Sequence, residues 1–301
     1  MQIKTIQNAI QSKLTAWLDS ISDESLRKKV KSNLLLSGGS ITSMLLNTDV
    51  NDYDVYIKDM DVLLSLTKYY VDPFKGSIDI LDGRNRDKYM DGVDDKYGDE
   101  ENNSAYAVSL RNLKPDQIKL FFLAKNGGMK VNEDKTEEDH YYPVFFSPNA
   151  ISLSDNVQIV IRFHGDNVAI HKTFDFIHAT NYFTFDDGLV TNKEALESIL
   201  TKQLRYQGSL YPLTSIIRMK KFIKRQWNIN AGEILKIMFQ ISELDLKNPD
   251  VLEEQLIGVD IAYFDKLIGI LRGVDPDKMN SSYLNAIIDK VFNSADDTSE
   301  E

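Results

Sequence analysis

The spacing of apolar and polar residues along the first sixty positions predicts alternating helices and strands. Apolar side chains recur at helical spacing near the N-terminus at Ile3, Ile6, Ile10, Leu14 and Trp17, which predicts an amphipathic helix. Residues 23–32 predict a second helix, with Ser22 or Asp23 as its N-cap. An apolar run at 34–36 predicts a buried strand, followed by a glycine turn and a short helix over 41–46. The alternating segment YDVYI at 53–57 predicts another strand.

The remaining pattern divides the chain into two parts. It predicts a helix over 59–70 and strands over 77–81, 105–110, 118–124, 157–163 and 169–177. From about residue 196 onward, apolar positions recur at helical spacing to the end. The sequence therefore predicts a mixed α/β part up to about residue 190 and an all-helical part after it.

The composition excludes several classes of protein. Hydrophobic residues make up 42% of the 301 residues and charged residues 27%, which is typical of a globular chain. The chain contains no cysteine, so a disulfide scaffold, a thiol nucleophile and cysteine-ligated zinc are excluded. No apolar run approaches the roughly 20 residues of a membrane span, and the N-terminus has polar residues every few positions, unlike a signal peptide. We expect a cytoplasmic protein with no membrane partner.

Charge is distributed unevenly along this acidic chain, whose formal net charge is −11. Acidic residues dominate 87–101, 133–139 and the tail over 294–301. By contrast, residues 202–232 contain seven lysines and arginines and no acid. Within this basic segment Arg218, Lys221 and Arg225 are spaced as one stripe of a helix. This pattern favours contact with a triphosphate or nucleic-acid phosphates, although a solvated surface helix is the simpler alternative.

Two short motifs carry candidate chemistry. Residues 37–40 read Ser-Gly-Gly-Ser between a predicted strand and a predicted helix, where glycines and free N–H groups can approach a phosphate closely. Asp52 and Asp54 follow, and alternate residues of a strand share a face. Two carboxylates on one face suit Mg²⁺. Either motif alone is more often a plain turn or a solvated strand edge, so the inference depends on their combination.

The combined motif, LLLSGGSITSMLLNTDVNDYDVYI at 34–57, resembles the DNA polymerase beta-like nucleotidyltransferase superfamily. Three further segments, at 146–166, 170–183 and 204–236, are similar to a group of phage-encoded nucleotidyltransferases. The resemblance implies an α+β fold with a nucleotidyltransferase-type mixed sheet, flanking helices and an all-helical C-terminal domain. The implied domains are a catalytic domain over 1–190 with an acidic insertion at about 83–140, a helical domain over 191–293 and an acidic tail over 294–301.

The resemblance also implies roles for particular residues. Asp52, Asp54 and a third carboxylate would bind Mg²⁺ or Mn²⁺ and serve in two-metal catalysis. Asp175 and Asp79 compete for the third position. We favour Asp175, since an aspartate between two phenylalanines is costly unless a cation or donor meets it; the alternative for Asp175 is a salt bridge inside the helical part. The nucleotide-binding residues would be Gly38, Gly39, Ser40, Tyr211, Arg218 and Lys221.

The sequence thus predicts a nucleotidyltransferase that moves a nucleoside monophosphate from a nucleoside triphosphate to a hydroxyl acceptor. An RNA 3′ end and a protein hydroxyl are both compatible acceptors, and neither the acceptor nor the oligomeric state can be read from the sequence. Two alternatives stay open. One is a catalytically idle nucleotidyltransferase fold that acts as a phage structural or interaction module. The other is a nucleic-acid-binding regulator that uses only the basic segment.

Overall fold

The structure is a computed structural model that describes residues 2–90, 106–107, 109–123, 128–132, 140–256, 267, 269–271, 273–274 and 281–292. The predicted acidic tail and the acidic stretches at 91–105 and 133–139 lie outside the described residues. The chain forms two compact units, which are taken in turn. The first contains Met1–His171 and His178–Ile199, and the second contains Lys172–Ile177 and Leu200–Glu301.

An eight-stranded mixed sheet forms the centre of the first unit. Its strands are β1 (Leu34–Ser37), β2 (Tyr53–Ile57), β5 (Met129–Lys130), β6 (Pro143–Ser147), β7 (Ala150–Leu153), β8 (Val157–Val160), β9 (Tyr182–Thr184) and β10 (Gly188–Val190). They lie in the order β10-β9-β1-β2-β8-β7-β6-β5. All neighbours are antiparallel except β2 and β8, which run parallel. The sheet thus brings β8 beside β2 although about a hundred residues separate them in sequence.

Helices cover one face of this sheet. The helices of the first unit are α1 (Ile3–Ser20), α2 (Glu24–Asn33), α3 (Gly39–Leu46), α4 (Met60–Val71), α5 (Arg86–Met90), α6 (Asn167–His171) and α7 (Lys193–Thr201, of which Leu200 and Thr201 belong to the second unit). The apolar stripe of α1 is fully buried from Ile6 to Trp17 and joins one core with Leu36 and Val55 of the sheet, whereas Ile3 at its start is 48% exposed. Trp17 on α1 also donates a hydrogen bond from Nε1 to the hydroxyl of Tyr70 on α4 at 2.9 Å.

The other face of the sheet is more open. Along β8, Val157 and Ile159 are buried, whereas Gln158 and Val160 are only half-buried. The same alternation occurs along β7, where Ser152 is half-buried between buried neighbours. Because side chains of successive strand residues point to opposite faces, the half-buried positions share one face. That face carries polar side chains at the centre of the sheet.

A second, two-stranded sheet joins the predicted insertion to the strand that precedes it. It pairs β3 (Ile78–Asp82) with β4 (Ile118–Phe122), which confirms both predicted strands. The prediction of a strand over 105–110 is wrong, because its described residues, 106–107 and 109–110, are helical. Tyr106 and Leu110 are fully buried in a small core with Phe121, and a helix can turn both toward β4. The insertion therefore contains packed structure as well as acidic segments.

The second unit is mostly helical within its described residues. Its elements are α8 (Pro212–Lys224), α9 (Ala231–Ser242), α10 (Pro249–Gln255), α11 (Ser281–Phe292), β11 (Gln203–Leu204) and β12 (Asn228–Ile229). The two short strands pair in parallel, so the prediction of an all-helical C-terminal part is wrong at these residues.

The predicted strand over 169–177 is also wrong. Residues up to His171 form α6, whose first turn is capped by the Asp166 carboxylate accepting a hydrogen bond from the Ala169 N–H at 2.8 Å. The chain then enters the second unit, where Phe176 packs against the rings of Tyr206 and Phe222. The apolar alternation that suggests a strand here reflects burial of phenylalanine in a helical core. No helix among the described residues is long and apolar enough to cross a membrane.

Candidate functional site

The Gly-Gly turn lies directly against the carboxylate of Asp54. Strand β1 ends at Ser37 and α3 begins at Gly39, with Gly38 between them at φ 107° and ψ −151°. A Cβ atom on Gly38 would lie 3.2 Å from Oδ2 of Asp54. Glycine is needed here both for this backbone conformation, which L-residues rarely adopt, and for the close approach of the carboxylate.

The start of α3 holds an unsatisfied hydroxyl. Ser40, in the first turn of this helix, is 3% exposed, and its Oγ has no hydrogen-bond partner among the described residues. A buried hydroxyl without a partner is unusual, since most such groups are satisfied by protein or water. The first N–H groups of a helix also lack intrahelical acceptors and carry the positive end of the helix dipole. This end of α3 therefore offers several donors to an anion.

A segment at 178–181 holds the turn in place. The Gly38 N–H donates to the carbonyl oxygen of Ala179 at 3.1 Å, and the Ser37 hydroxyl donates to that of Asn181 at 2.8 Å. The Ser37 oxygen also lies 2.9 Å from Nε2 of His171. Burial lowers the pKa of His171 to about 4, so this imidazole is neutral near pH 7. These contacts point to a supporting role for Ser37 and His171.

The two aspartates of the motif occupy different local environments. Strand β2 begins at Tyr53, so Asp52 lies one residue before it and is exposed, while Asp54 is half-buried within it. Partial desolvation raises the pKa of Asp52 above its usual range. Carboxylate oxygens of this kind are suitable ligands for Mg²⁺ or Mn²⁺. The chemistry of these donors therefore fits a hard divalent cation.

Across the sheet, the position beside Asp54 carries a carboxamide. Asp54 on β2 is in register with Gln158 on the parallel strand β8, and Gln158 is in register with Ser152 on β7. The three side chains share the open face, and Nε2 of Gln158 donates to Oγ of Ser152 at 3.2 Å. Within the part of the chain that the structure describes, no group of three or more His, Asp or Glu side chains could hold a metal ion. Sequence reasoning missed Gln158, because strand pairing and not sequence spacing brings it next to Asp54.

Neither candidate for the third carboxylate lies on the eight-stranded sheet. Asp79 is on β3 of the two-stranded sheet, opposite Phe121. Asp175 belongs to the second unit and lies in no strand. There its Oδ2 accepts a hydrogen bond from Nη1 of Arg218 at 3.0 Å, with the aspartate side chain 11% exposed. This ion pair is the alternative that the sequence left open for Asp175, and it joins two residues predicted to bind metal and phosphate respectively.

The remaining predicted nucleotide contacts also belong to the second unit. Tyr211 directly precedes Pro212 at the start of α8, and its side chain is buried. Lys221 is exposed on the same helix. Ile223 on this helix is 49% exposed, whereas Trp227, just after it, is buried. The binding roles of Tyr211, Arg218 and Lys221 stay predictions.

The comparisons with known proteins identify a phage protein family. The sequence profile of the Gabija anti-defense 2 family matches residues 8–202, so this chain belongs to the Gabija anti-defense 2 family. The protein named Gabija anti-defense 2 of Bacillus phage SPbetaL7 is 22% identical over 135 residues, which are 44% of this chain and 32% of that protein. The chain thus matches about a third of the length of that relative.

Solved structures with distant similarity are CCA-adding enzymes. The enzyme of Thermotoga maritima complexed with tRNA matches 94% of this chain and 60% of its own, with 12% identity and a TM-score of 0.39. The Bacillus stearothermophilus enzyme in complex with CTP matches 85% of this chain and 51% of its own, with 9% identity and a TM-score of 0.40.

Proposed function

We propose that this protein is a metal-dependent nucleotidyltransferase that moves a nucleoside monophosphate from a nucleoside triphosphate to a hydroxyl acceptor. The observation that carries the proposal is the contact between Gly38 and the carboxylate of Asp54. It places a carboxylate suited to a cation beside the start of α3, which offers donors to an anion. A metal–triphosphate complex has both chemistries in one ligand.

The phosphate half of the site is the turn and the first residues of α3. Gly38 and Gly39 would let the β- and γ-phosphates approach the backbone, where the N–H groups of the first turn of α3 can donate to them. The hydroxyl of Ser40 would complete its hydrogen bonding on a phosphate oxygen. A Cβ on Gly39 would meet no atom within 4 Å, so the space beside this residue is open to a ligand.

The metal half would be Asp52 and Asp54, with Mg²⁺ or Mn²⁺ as cofactor. The bound cation supplies charge neutralisation of the phosphates and a lower pKa for an attacking hydroxyl. In the transfer, the acceptor oxygen bonds to the α-phosphorus while the bond to the bridging oxygen breaks. Pyrophosphate leaves with the electron pair and the acceptor's proton passes to water. The chain's own contribution is to position both reactants and neutralise charge.

The proposal includes four residues that act when the nucleotide binds, namely Asp175, Arg218, Lys221 and Tyr211. Asp175 and Arg218 pair with each other in this structure. Their roles at the metal and at the phosphates would therefore require this pair to exchange partners. Lys221 is exposed and needs no such exchange to meet a phosphate.

The reaction is tested with labelled nucleotides. The protein is incubated with Mg²⁺ or Mn²⁺, host RNA, host protein and each nucleoside triphosphate, labelled at the α- or the γ-phosphate. We expect the α-label, and not the γ-label, to appear on RNA or protein, and Asp54→Asn to abolish it. Transfer of the γ-label would indicate a kinase. No transfer of any nucleotide would contradict the proposal.

A second candidate is nucleotide binding without transfer. The carboxamide at Gln158 favours it, because a neutral side chain adds no charge to neutralise a metal.

The family name suggests a biological role that either activity could serve, namely counteracting the host defence called Gabija. The two candidates are separated in cells that carry this defence and are challenged with phage. Rescue of phage growth by the wild type and not by Asp54→Asn supports catalysis. Rescue by both, together with nucleotide binding by both, supports the binding role.

A further inference from the structure

Gln158 occupies the position on the open face that lies closest in register to Asp54. The two residues are direct partners on the parallel strands β2 and β8. Neighbouring strands lie about 4.8 Å apart, and partners in register project to the same side. Ligand oxygens bind Mg²⁺ at about 2.1 Å. One cation can therefore reach both side chains without a change in the sheet.

The hydrogen bonding of Gln158 orients its carboxamide. Its Nε2 donates to Oγ of Ser152 on the strand beyond, at 3.2 Å. The carbonyl oxygen Oε1 has no hydrogen-bond partner among the described residues and is left for another ligand. Ser152 thus holds the amide nitrogen on the side away from Asp54.

Resting on the proposed function, we propose that Gln158 is an additional oxygen ligand of the metal, and that its neutrality makes metal binding depend on the nucleotide. A site with Asp52, Asp54 and a carboxamide supplies two negative charges. A triphosphate brings about four more, so the cation binds strongly only when the nucleotide completes its ligands. The protein therefore takes up the metal–triphosphate complex in preference to the free ion. Ser152 acts as a positioning residue for Gln158.

The test measures Mn²⁺ affinity by titration, with and without a non-hydrolysable triphosphate analogue. For the wild type we expect weak binding of Mn²⁺ alone and at least tenfold tighter binding with the analogue. Gln158→Glu adds the missing charge, so it should tighten binding of Mn²⁺ alone by about tenfold. Gln158→Leu should weaken binding of the complex by a similar factor. Ser152→Ala should weaken binding of the complex by a smaller factor than Gln158→Leu does. In a Gln158→Glu background, Ser152→Ala should have a smaller effect than in the wild type.

Two controls separate this inference from the proposed function. Gln11→Glu adds the same charge at an exposed position of α1, and it should leave both affinities unchanged. Asp54→Asn should abolish binding of the complex. If the wild type binds no Mn²⁺ with or without the analogue, the proposed function fails. If Asp54→Asn abolishes binding while both Gln158 variants behave as the wild type, the proposed function stands and the role of Gln158 is refuted.

Discussion

The two adjacent glycines of the turn should respond to alanine in opposite ways. Gly38 has φ 107° and ψ −151°, a region that costs an L-residue about 1–3 kcal/mol. The new Cβ would also lie 3.2 Å from Oδ2 of Asp54 and would displace this carboxylate by a few tenths of an ångström. Alanine also restricts the unfolded chain more than glycine does, and this raises the free energy of unfolding by about 0.4–1 kcal/mol. Gly38→Ala should therefore lower the free energy of unfolding of the first unit by about 1–2 kcal/mol.

Gly39→Ala is the matched control. Gly39 begins α3, and its added Cβ would meet no atom within 4 Å. Alanine is favoured over glycine in a helix by up to about 1 kcal/mol, so this variant should be as stable as the wild type or slightly more so. Its Cβ would, however, occupy the space proposed for the phosphates. Gly39→Ala should thus weaken nucleotide binding without loss of stability, while Gly38→Ala should lose both.

The assay can follow the first unit alone. The chain has two tryptophans, of which Trp17 lies in the first unit and Trp227 in the second. In a Trp227→Phe background, Trp17 fluorescence reports urea unfolding of the first unit. The unsubstituted turn, Gly38→Ala and Gly39→Ala are compared in this background, with and without Mn²⁺ and nucleotide. Equal stability of the two glycine variants would refute the steric account of Gly38. Unimpaired nucleotide binding by Gly39→Ala would show that the phosphates do not bind at this turn.

Three further predictions concern buried polar groups. Because burial lowers the pKa of His171 from 6.5 to about 4, the folded state disfavours its charged form, so stability should fall as pH drops from 6.5 to 4, by at most about 3 kcal/mol. Denaturation across this range should show a smaller fall in His171→Gln, which cannot titrate, and an unchanged profile would contradict the assignment. Asp175→Asn leaves the partly exposed Arg218 without its anion, so it should cost about 1–3 kcal/mol in urea unfolding, and a double-mutant cycle with Arg218→Gln should show coupling. If Asp175→Asn instead keeps full stability but loses the Mn²⁺-dependent stabilisation, Asp175 serves the metal. Trp17→Phe removes the donor to the Tyr70 hydroxyl and should lower the free energy of unfolding by about 1–3 kcal/mol, with less effect in a Tyr70→Phe background; equal effects in both backgrounds would show that the hydrogen bond contributes nothing.

Local patterns predicted the first half of the site because it is built from neighbours in sequence. The strand at 34–36, the glycine turn, the short helix and the strand at 53–57 are all present in the structure. Hydrophobic periodicity and glycine preferences act over a few residues, so the sequence contains this information directly. The contact between Gly38 and Asp54 follows from the antiparallel pairing of two consecutive strands.

The other half of the site depends on pairing between distant strands, which periodicity does not encode. Nothing near Gln158 in sequence indicates that it lies beside Asp54, because the register of β8 on β2 is set by the whole sheet. The prediction of a strand around Asp175, over 169–177, was wrong for a different reason. Phe174 and Phe176 alternate with polar residues as in a strand, but Phe176 is buried among aromatic rings of the second unit.

The return of β8 to the side of β2 after a long excursion has an evolutionary consequence. The described residues between β2 and β5 lie outside this sheet, which the chain re-enters at its far edge through β5, β6 and β7 before β8 pairs with β2. The entropy of closing such a loop changes only slowly with its length, by about 0.6 kcal/mol per doubling. Lineages can therefore lengthen or shorten the segment between β2 and β5 while the residues on β2, β7 and β8 keep their geometry. Adaptation to a new host can be concentrated there, leaving the chemistry of the central strands untouched.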